Sequence, residues 1–137
     1  MKQILLDTNI ALDLLARRIP FYNDAAALFT LADKKIIGLS VSALSLVNIH
    51  YLIAELKPEQ ETRKILRNLV ILLEVLSLDN KILDLALNSD FNDFEDAIQY
   101  FTAIENDQDL IVTRNMSGFR KSKIPVMTAR EFMESFM

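Results

Sequence analysis

Short apolar runs alternate with longer stretches of helical periodicity along this chain. Ile4-Leu5-Leu6, led in by Lys2 and Gln3, has no polar interruption, which predicts a short strand covered on both faces. A helical pattern begins at Ile10-Ala11-Leu12-Asp13-Leu14-Leu15, and Arg17-Arg18-Ile19-Pro20 makes a turn. Residues 22–34 place Ala25, Leu28, Phe29 and Ala32 on one helix face. Ile36-Ile37-Gly38-Leu39-Ser40 reads as a second strand. Ser42 is a candidate cap for a helix through Leu56, and Pro58 opens another that carries Ile65, Leu66 and Leu69. Leu73 to Leu78 reads as a strand, with its junction to the preceding helix the hardest to place. A short helix over 80–87, a helix behind Asp93, a strand from Leu110, a basic loop, a brief strand at Val126 and a helix from Ala129 complete the order. Strands alternating with helices predict a three-layer α/β/α fold around a parallel sheet of about five strands. No linker or repeat divides residues 1–137, so one domain is expected.

Polar groups gather where these elements meet. In open α/β sheets, ligand sites form at the carboxyl ends of strands, and Asp7 ends the first strand there. It is a candidate metal ligand or general base, while capping of the first helix by Asp7, Thr8 or Asn9 is the simpler reading. In Asp90-Phe91-Asn92-Asp93-Phe94-Glu95-Asp96-Ala97, Asp93 and Asp96 share the face of a helix start. Helix-dipole and capping-box effects explain some of this charge. Four acids in seven residues nevertheless repel one another unless a cation neutralises them. The Asp90/Asn92 alternation does not make a calcium loop, because Glu95 stands where that loop needs glycine. Leu110-Ile111-Val112 likewise ends in Thr113-Arg114-Asn115, before the loop Met116-Ser117-Gly118-Phe119.

Taken together, Asp7-Thr8-Asn9, Asp93-Phe94-Glu95-Asp96-Ala97 and Thr113-Arg114-Asn115 with Gly118-Phe119 resemble the PIN-domain family of metal-dependent ribonucleases. That family includes the VapC-like toxins of toxin–antitoxin pairs. Arg18-Ile19-Pro20-Phe21 is similar to the Arg-x-Pro-Phe segment of one subgroup. No single motif is specific; their joint order and spacing are. The resemblance implies hydrolysis of RNA phosphodiester bonds, with Asp7 and Asp96 holding Mg²⁺ or Mn²⁺ and Asp93 as a further ligand or water holder. Thr8, Asn9 and Thr113 would orient those carboxylates. Two positions depart from the family pattern. Asn48 stands where a glutamate is expected on the third helix, and Asn115 where an aspartate is usual. Both amides retain a carbonyl oxygen for an ion or a water but carry no charge. A PIN fold acting as an RNA-binding or partner-binding module without hydrolysis is therefore a second reading. A haloacid-dehalogenase-type phosphatase is a third, but that chemistry wants an aspartate where this chain has Asn9.

Composition narrows the setting. With 15 basic and 19 acidic residues the net charge is −4, so RNA contact has to come from a local patch. Arg17, Arg18, Arg114, Arg120, Lys121 and Lys123 are placed by this topology in loops near the acidic end. They form either that patch or an ordinary solvated set. There is no cysteine, hence no disulfide or thiolate metal site. The N-terminus enters a strand directly and no apolar run spans a bilayer, which together predict a cytoplasmic protein. His50 is the one histidine and reads as a structural, hydrogen-bonded residue on an apolar helix. The phenylalanines are scattered among aliphatic residues, which favours core packing over base stacking. The apolar fraction of 51% and mean hydropathy of +0.20 predict a homodimer or a bound partner, an antitoxin protein in the PIN reading. The faces of residues 43–56 and 58–69 are the expected contact surfaces.

Overall fold

The computed structural model of the chain describes residues 1–136. Five strands form one parallel sheet: β1 (Gln3–Leu6), β2 (Gly38–Ser42), β3 (Glu74–Leu76), β4 (Leu110–Val112) and β5 (Val126–Met127), in the spatial order β3-β2-β1-β4-β5. Seven helices connect and cover them: α1 (Thr8–Leu15), α2 (Tyr22–Asp33), α3 (Ala43–Ala54), α4 (Glu59–Leu72), α5 (Asn80–Leu87), α6 (Phe94–Glu105) and α7 (Ala129–Phe136). A single 3-10 turn covers Met116–Phe119. The architecture is the three-layer α/β/α arrangement expected from the alternation of apolar runs.

Burial explains why β1 and β4 lack polar alternation. Ile4 and Leu6, with Leu110 and Val112, join a core shared with α1, α2, α3, α4 and α7. Leu5 and Ile111 point the other way, into a second core with Tyr100 and Ala103 of α6 and with Phe119. Successive strand residues face opposite sides, so a sheet covered twice demands apolar residues at every position. An aromatic cluster packs on this second side: Phe91 stacks on Tyr100 at 5.0 Å, and Tyr100 meets Phe101 edge-on.

Two strands differ from the reading of the sequence. β2 runs over Gly38–Ser42 rather than 36–40, pairing Gly38 with Gln3 and Ser42 with Leu76. Ile36 stays exposed outside the sheet, whereas Ser40 and Ser42 are buried within it. Two serines resemble a loop before a helix, but Ser42 serves both roles. It ends β2, and its Oγ accepts from the Ser45 amide to cap α3. The strand after α4 shortens to Glu74–Leu76. α4 begins at Glu59, with the Pro58 carbonyl accepting from the Thr62 amide.

Candidate functional site

Asp7 lies just past the register pair Leu6–Val112, at the carboxyl edge of the two central strands. Its backbone is extended, and its Oδ1 accepts from the Thr8 amide at 2.8 Å as the cap of α1. The capping role is therefore present, and it uses one oxygen. Oδ2 accepts from Thr113 Oγ1 at 2.7 Å. Asp7 is only 9% exposed. Burial pushes its carboxyl above the usual range; the Thr113 and Thr8 bonds oppose this, and the charge on Asp93 adds to it.

Asp93 likewise caps α6, its Oδ1 accepting from the Asp96 amide at 2.9 Å. Asp96 stands half-buried one turn into the helix, and Asn115 Nδ2 donates to its Oδ2 at 3.3 Å. Its carboxyl is pushed up to about 6, first by burial, then by the charges of Asp93, Asp7 and Glu95. Carboxylates that raise one another's pKa lack a neutralising partner. Asp7, Asp93 and Asp96 line one cleft of about 470 Å³ together with Thr8, Asn9 and Asn48. Glu95, Asn115 and Gln99 complete its polar lining, and Tyr51 and Leu52 form an apolar side. The strand ends and helix starts singled out in the sequence are thus brought to one place.

The donor set suits a hard divalent cation, which takes oxygen ligands. Among the described residues, no three His, Cys, Asp or Glu side chains are gathered closely enough to enclose an ion alone. Mg²⁺ keeps several waters and takes one or two carboxylates, so the set fits a partly hydrated ion. Gly118 keeps this space open. A Cβ there would run into the Asp96 carboxylate and the Asn115 amide. Its need is for close approach, not for an unusual backbone angle.

The basic residues divide into two groups. Arg120 and Lys121 line an adjoining cleft of about 420 Å³ that shares Asp93, Asp96 and Asn115, and Lys121 Nζ reaches the Asp90 carbonyl at 2.6 Å. Arg114 instead turns to Asp13, which is 1% exposed. Nη2 donates to Asp13 Oδ1 at 3.1 Å, while Nε sits 3.0 Å from Oδ2 but off the hydrogen-bond direction. The guanidinium also lies 3.9 Å from the ring centre of Phe21. Arg18 pairs with Asp13 at 3.9 Å and donates to Asn9 Oδ1 at 3.2 Å. Arg17 is exposed in the left-handed region, with φ of 50°. Lys123 is exposed as well. His50 Nε2 meets the Glu59 carboxylate at 2.8 Å, a bond between α3 and α4 away from the cleft.

Two residues beside the site, Gln99 and Ser45, escaped the reading of the sequence. Gln99 is 3% exposed, and its Nε2 donates to Ser45 Oγ at 2.5 Å. Ser45 Oγ in turn shares a hydrogen bond of 2.8 Å with Thr8 Oγ1. Gln99 sits one turn beyond Asp96, a spacing that puts it on the acidic face, but it is hidden among apolar residues of α6. Gly118, by contrast, falls within the motif that follows the Leu110 strand and is one of two glycines in the chain.

The sequence matches the PIN domain family over residues 3–117. No match is found among curated proteins. A toxin–antitoxin complex from Klebsiella pneumoniae is similar in structure, with a TM-score of 0.68 at 23% identity over 92% of this chain and 97% of that one. DNA-bound VapBC from Salmonella typhimurium gives 0.68 at 15% identity, over 94% and 99%. VapBC2 from Rickettsia felis, bound to a promoter DNA fragment, gives 0.65 at 18%, over 91% and 96%. With its fold, its acidic cleft and this match agreeing, the chain belongs to the PIN domain family.

Proposed function

We propose that this protein is a metal-dependent endoribonuclease and the toxin of a toxin–antitoxin pair. The observation that carries the reading is the meeting of Asp7, Asp93 and Asp96 in one cleft at the carboxyl edge of the sheet. The raised carboxyls of Asp7 and Asp96 mark charge that a cation would relieve. Asp7 and Asp96 would hold Mg²⁺ or Mn²⁺, with Asp93, Asn48 and Asn115 as further oxygen donors. When bound, the ion supplies an acidified water for in-line attack on a phosphodiester and offsets charge developing at phosphorus.

This chain's own residues prepare that chemistry. Thr113 and the Thr8 amide fix the two oxygens of Asp7. Asn115 holds the Asp96 carboxylate in place. Arg120 and Lys121, beside Asp93 and Asp96, would receive RNA phosphates. Arg17, Arg18 and Arg114 would act farther along the strand, with Arg114 and Arg18 mainly fixing the loop through Asp13. One similar solved structure is a toxin–antitoxin complex and two are VapBC proteins bound to DNA, which supports an antitoxin protein as partner. Val47, Tyr51 and Leu56 on and beyond α3, and Ile71 of α4, are exposed, which supports a homodimer through these helices. No helix among the described residues is long and apolar enough to cross a membrane, and we assign the protein to the cytoplasm.

The second reading, a PIN fold that binds RNA or a protein without cutting, draws on the same cleft. Asn48 and Asn115 remove two charges, and among the described residues no three acids enclose an ion unaided. Incubation of labelled RNA with the purified protein separates the readings. Cleavage that stops with chelator and returns with Mn²⁺ supports the nuclease; binding without cleavage at any divalent concentration supports the module.

A further inference from the structure

The polar chain Gln99–Ser45–Thr8 runs from the interior to the acidic cleft, joining α6, α3 and α1. Gln99 Nε2 donates to Ser45 Oγ, while Gln99 Oε1 is buried with no hydrogen-bond partner among the described residues. The amide is therefore held by its donor. Ser45 is fully buried and has one hydroxyl hydrogen. If Thr8 donated to Ser45, the Ser45 hydrogen would be left buried without an acceptor, a costly arrangement. Ser45 instead donates to Thr8 Oγ1, across the 2.8 Å contact between them. The Thr8 hydroxyl hydrogen is then left free. Thr8 is half-buried, follows Asp7 and lines the cleft. The negative field of Asp7, Asp93 and Asp96 favours the same polarity, because hydroxyl and amide dipoles turn their positive ends toward negative charge.

From this we infer that Thr8 presents an oriented hydroxyl donor to a non-bridging phosphate oxygen of the bound RNA, and that Gln99 sets its direction through Ser45. The inference rests on the nuclease reading. Thr8 touches the substrate; Ser45 and Gln99 are positioning residues. The chain is uncharged, so it adds a donor without altering the charge that would attract a cation. A pre-aimed donor stabilises developing charge with little reorganisation.

The test compares Thr8→Val, Thr8→Ser, Gln99→Met and the Thr8→Val/Gln99→Met double variant. The readouts are cleavage of a labelled RNA with Mn²⁺, Mn²⁺ binding by calorimetry, and thermal unfolding. Loss of a hydrogen bond to a charged group lowers kcat/KM by about tenfold to a hundredfold, and Thr8→Val and Gln99→Met should each fall in that range. Thr8→Ser should keep about the parental rate. The double variant should be no slower than Thr8→Val, since Gln99 acts through Thr8. Mn²⁺ affinity should be unchanged in all four. Should Thr8→Val fail to fold, Ser45→Ala breaks the chain with Thr8 in place and should show the same loss. A parent that cleaves RNA while folded Thr8→Val or Ser45→Ala matches it overturns this inference alone, as do losses that multiply in the double variant. A parent inert toward RNA overturns the nuclease reading and this inference with it.

Discussion

Thr113 Oγ1 donates to Asp7 Oδ2 at 2.7 Å across 106 residues of sequence. The bond follows from register: Leu6 pairs with Val112, so the next residue of each strand meets at the sheet edge. The same Thr113 oxygen accepts from the Asn115 amide at 2.9 Å, linking the Asp7 carboxylate to the turn that carries Asn115. Thr113→Val removes the donor but leaves the buried oxygen. We predict a loss of about 1–3 kcal/mol in urea unfolding at neutral pH, the usual cost of an unsatisfied buried acceptor. Thr113→Ser should recover most of it.

Asp96 makes stability depend on pH. Its folded-state carboxyl is near 6, above the ordinary 3.8, so the folded protein holds this proton more tightly than the unfolded chain. The resulting stabilisation is fully present below about pH 4 and is lost as pH rises through 6. Asp96→Asn removes the penalty. Discounted for the solvent the group still sees, the gain is about 1 kcal/mol at pH 8 without metal and near zero at pH 4. Thermal unfolding across that range reads it. Because the ion competes with the same proton, Mn²⁺ binding to the parent should weaken below pH 6.

Much of this arrangement was legible in the sequence, and the exceptions have physical causes. Asp7, Asp93 and Asp96 stood out because each follows an apolar run or opens a helix, and the sheet edge collects such positions. Capping does not take Asp7 and Asp93 away from the cleft: each caps a helix with one oxygen and also lines it. The limits of β2 were hidden because Ser40 and Ser42 are polar residues buried in a strand. The turns after α1, α2 and α6 place Arg17, Lys35 and Asp107 in the left-handed region, where glycine would have announced them. Gln99 and Ser45 find each other from 54 residues apart, which no local pattern encodes. Nor does charge alone reveal that Arg114 serves Asp13, because that depends on how the loop after β4 folds over α1.

That pairing gives a further expectation. Arg114→Met leaves the Asp13 carboxylate buried with only the longer Arg18 contact. Breaking a buried pair on one side costs about 3–5 kcal/mol, and thermal unfolding should show a loss of that order. The double change Asp13→Leu/Arg114→Met should recover much of it. By contrast, Arg120→Gln with Lys121→Gln should leave stability nearly unchanged and flatten the salt dependence of RNA binding.

The amides at the cleft offer a test with two signs. Asn115 donates to Asp96, so Asn115→Asp replaces that bond with repulsion. Without metal, Asn115→Asp should destabilise the fold by about 1 kcal/mol or more, and Asn48→Glu should act in the same direction. With Mn²⁺ each should gain more stability than the parent, because added negative charge strengthens cation binding. Unfolding scans with and without Mn²⁺ report both. An equal metal shift in variants and parent would place these amides outside the metal's reach.

The central claim, that the acidic cleft performs RNA hydrolysis, is tested most directly by Asp7→Asn measured for cleavage and folding together. The substitution preserves shape and removes a buried charge; its single oxygen keeps the Thr113 bond and gives up the acceptor of the Thr8 amide. We predict that Mn²⁺-dependent cleavage of a labelled RNA falls by about a thousandfold or more, as when a metal-ion catalyst loses an anchoring charge. Thermal unfolding of the metal-free variant should match or exceed the parent. A folded Asp7→Asn protein that cleaves RNA at the parental rate would contradict the account.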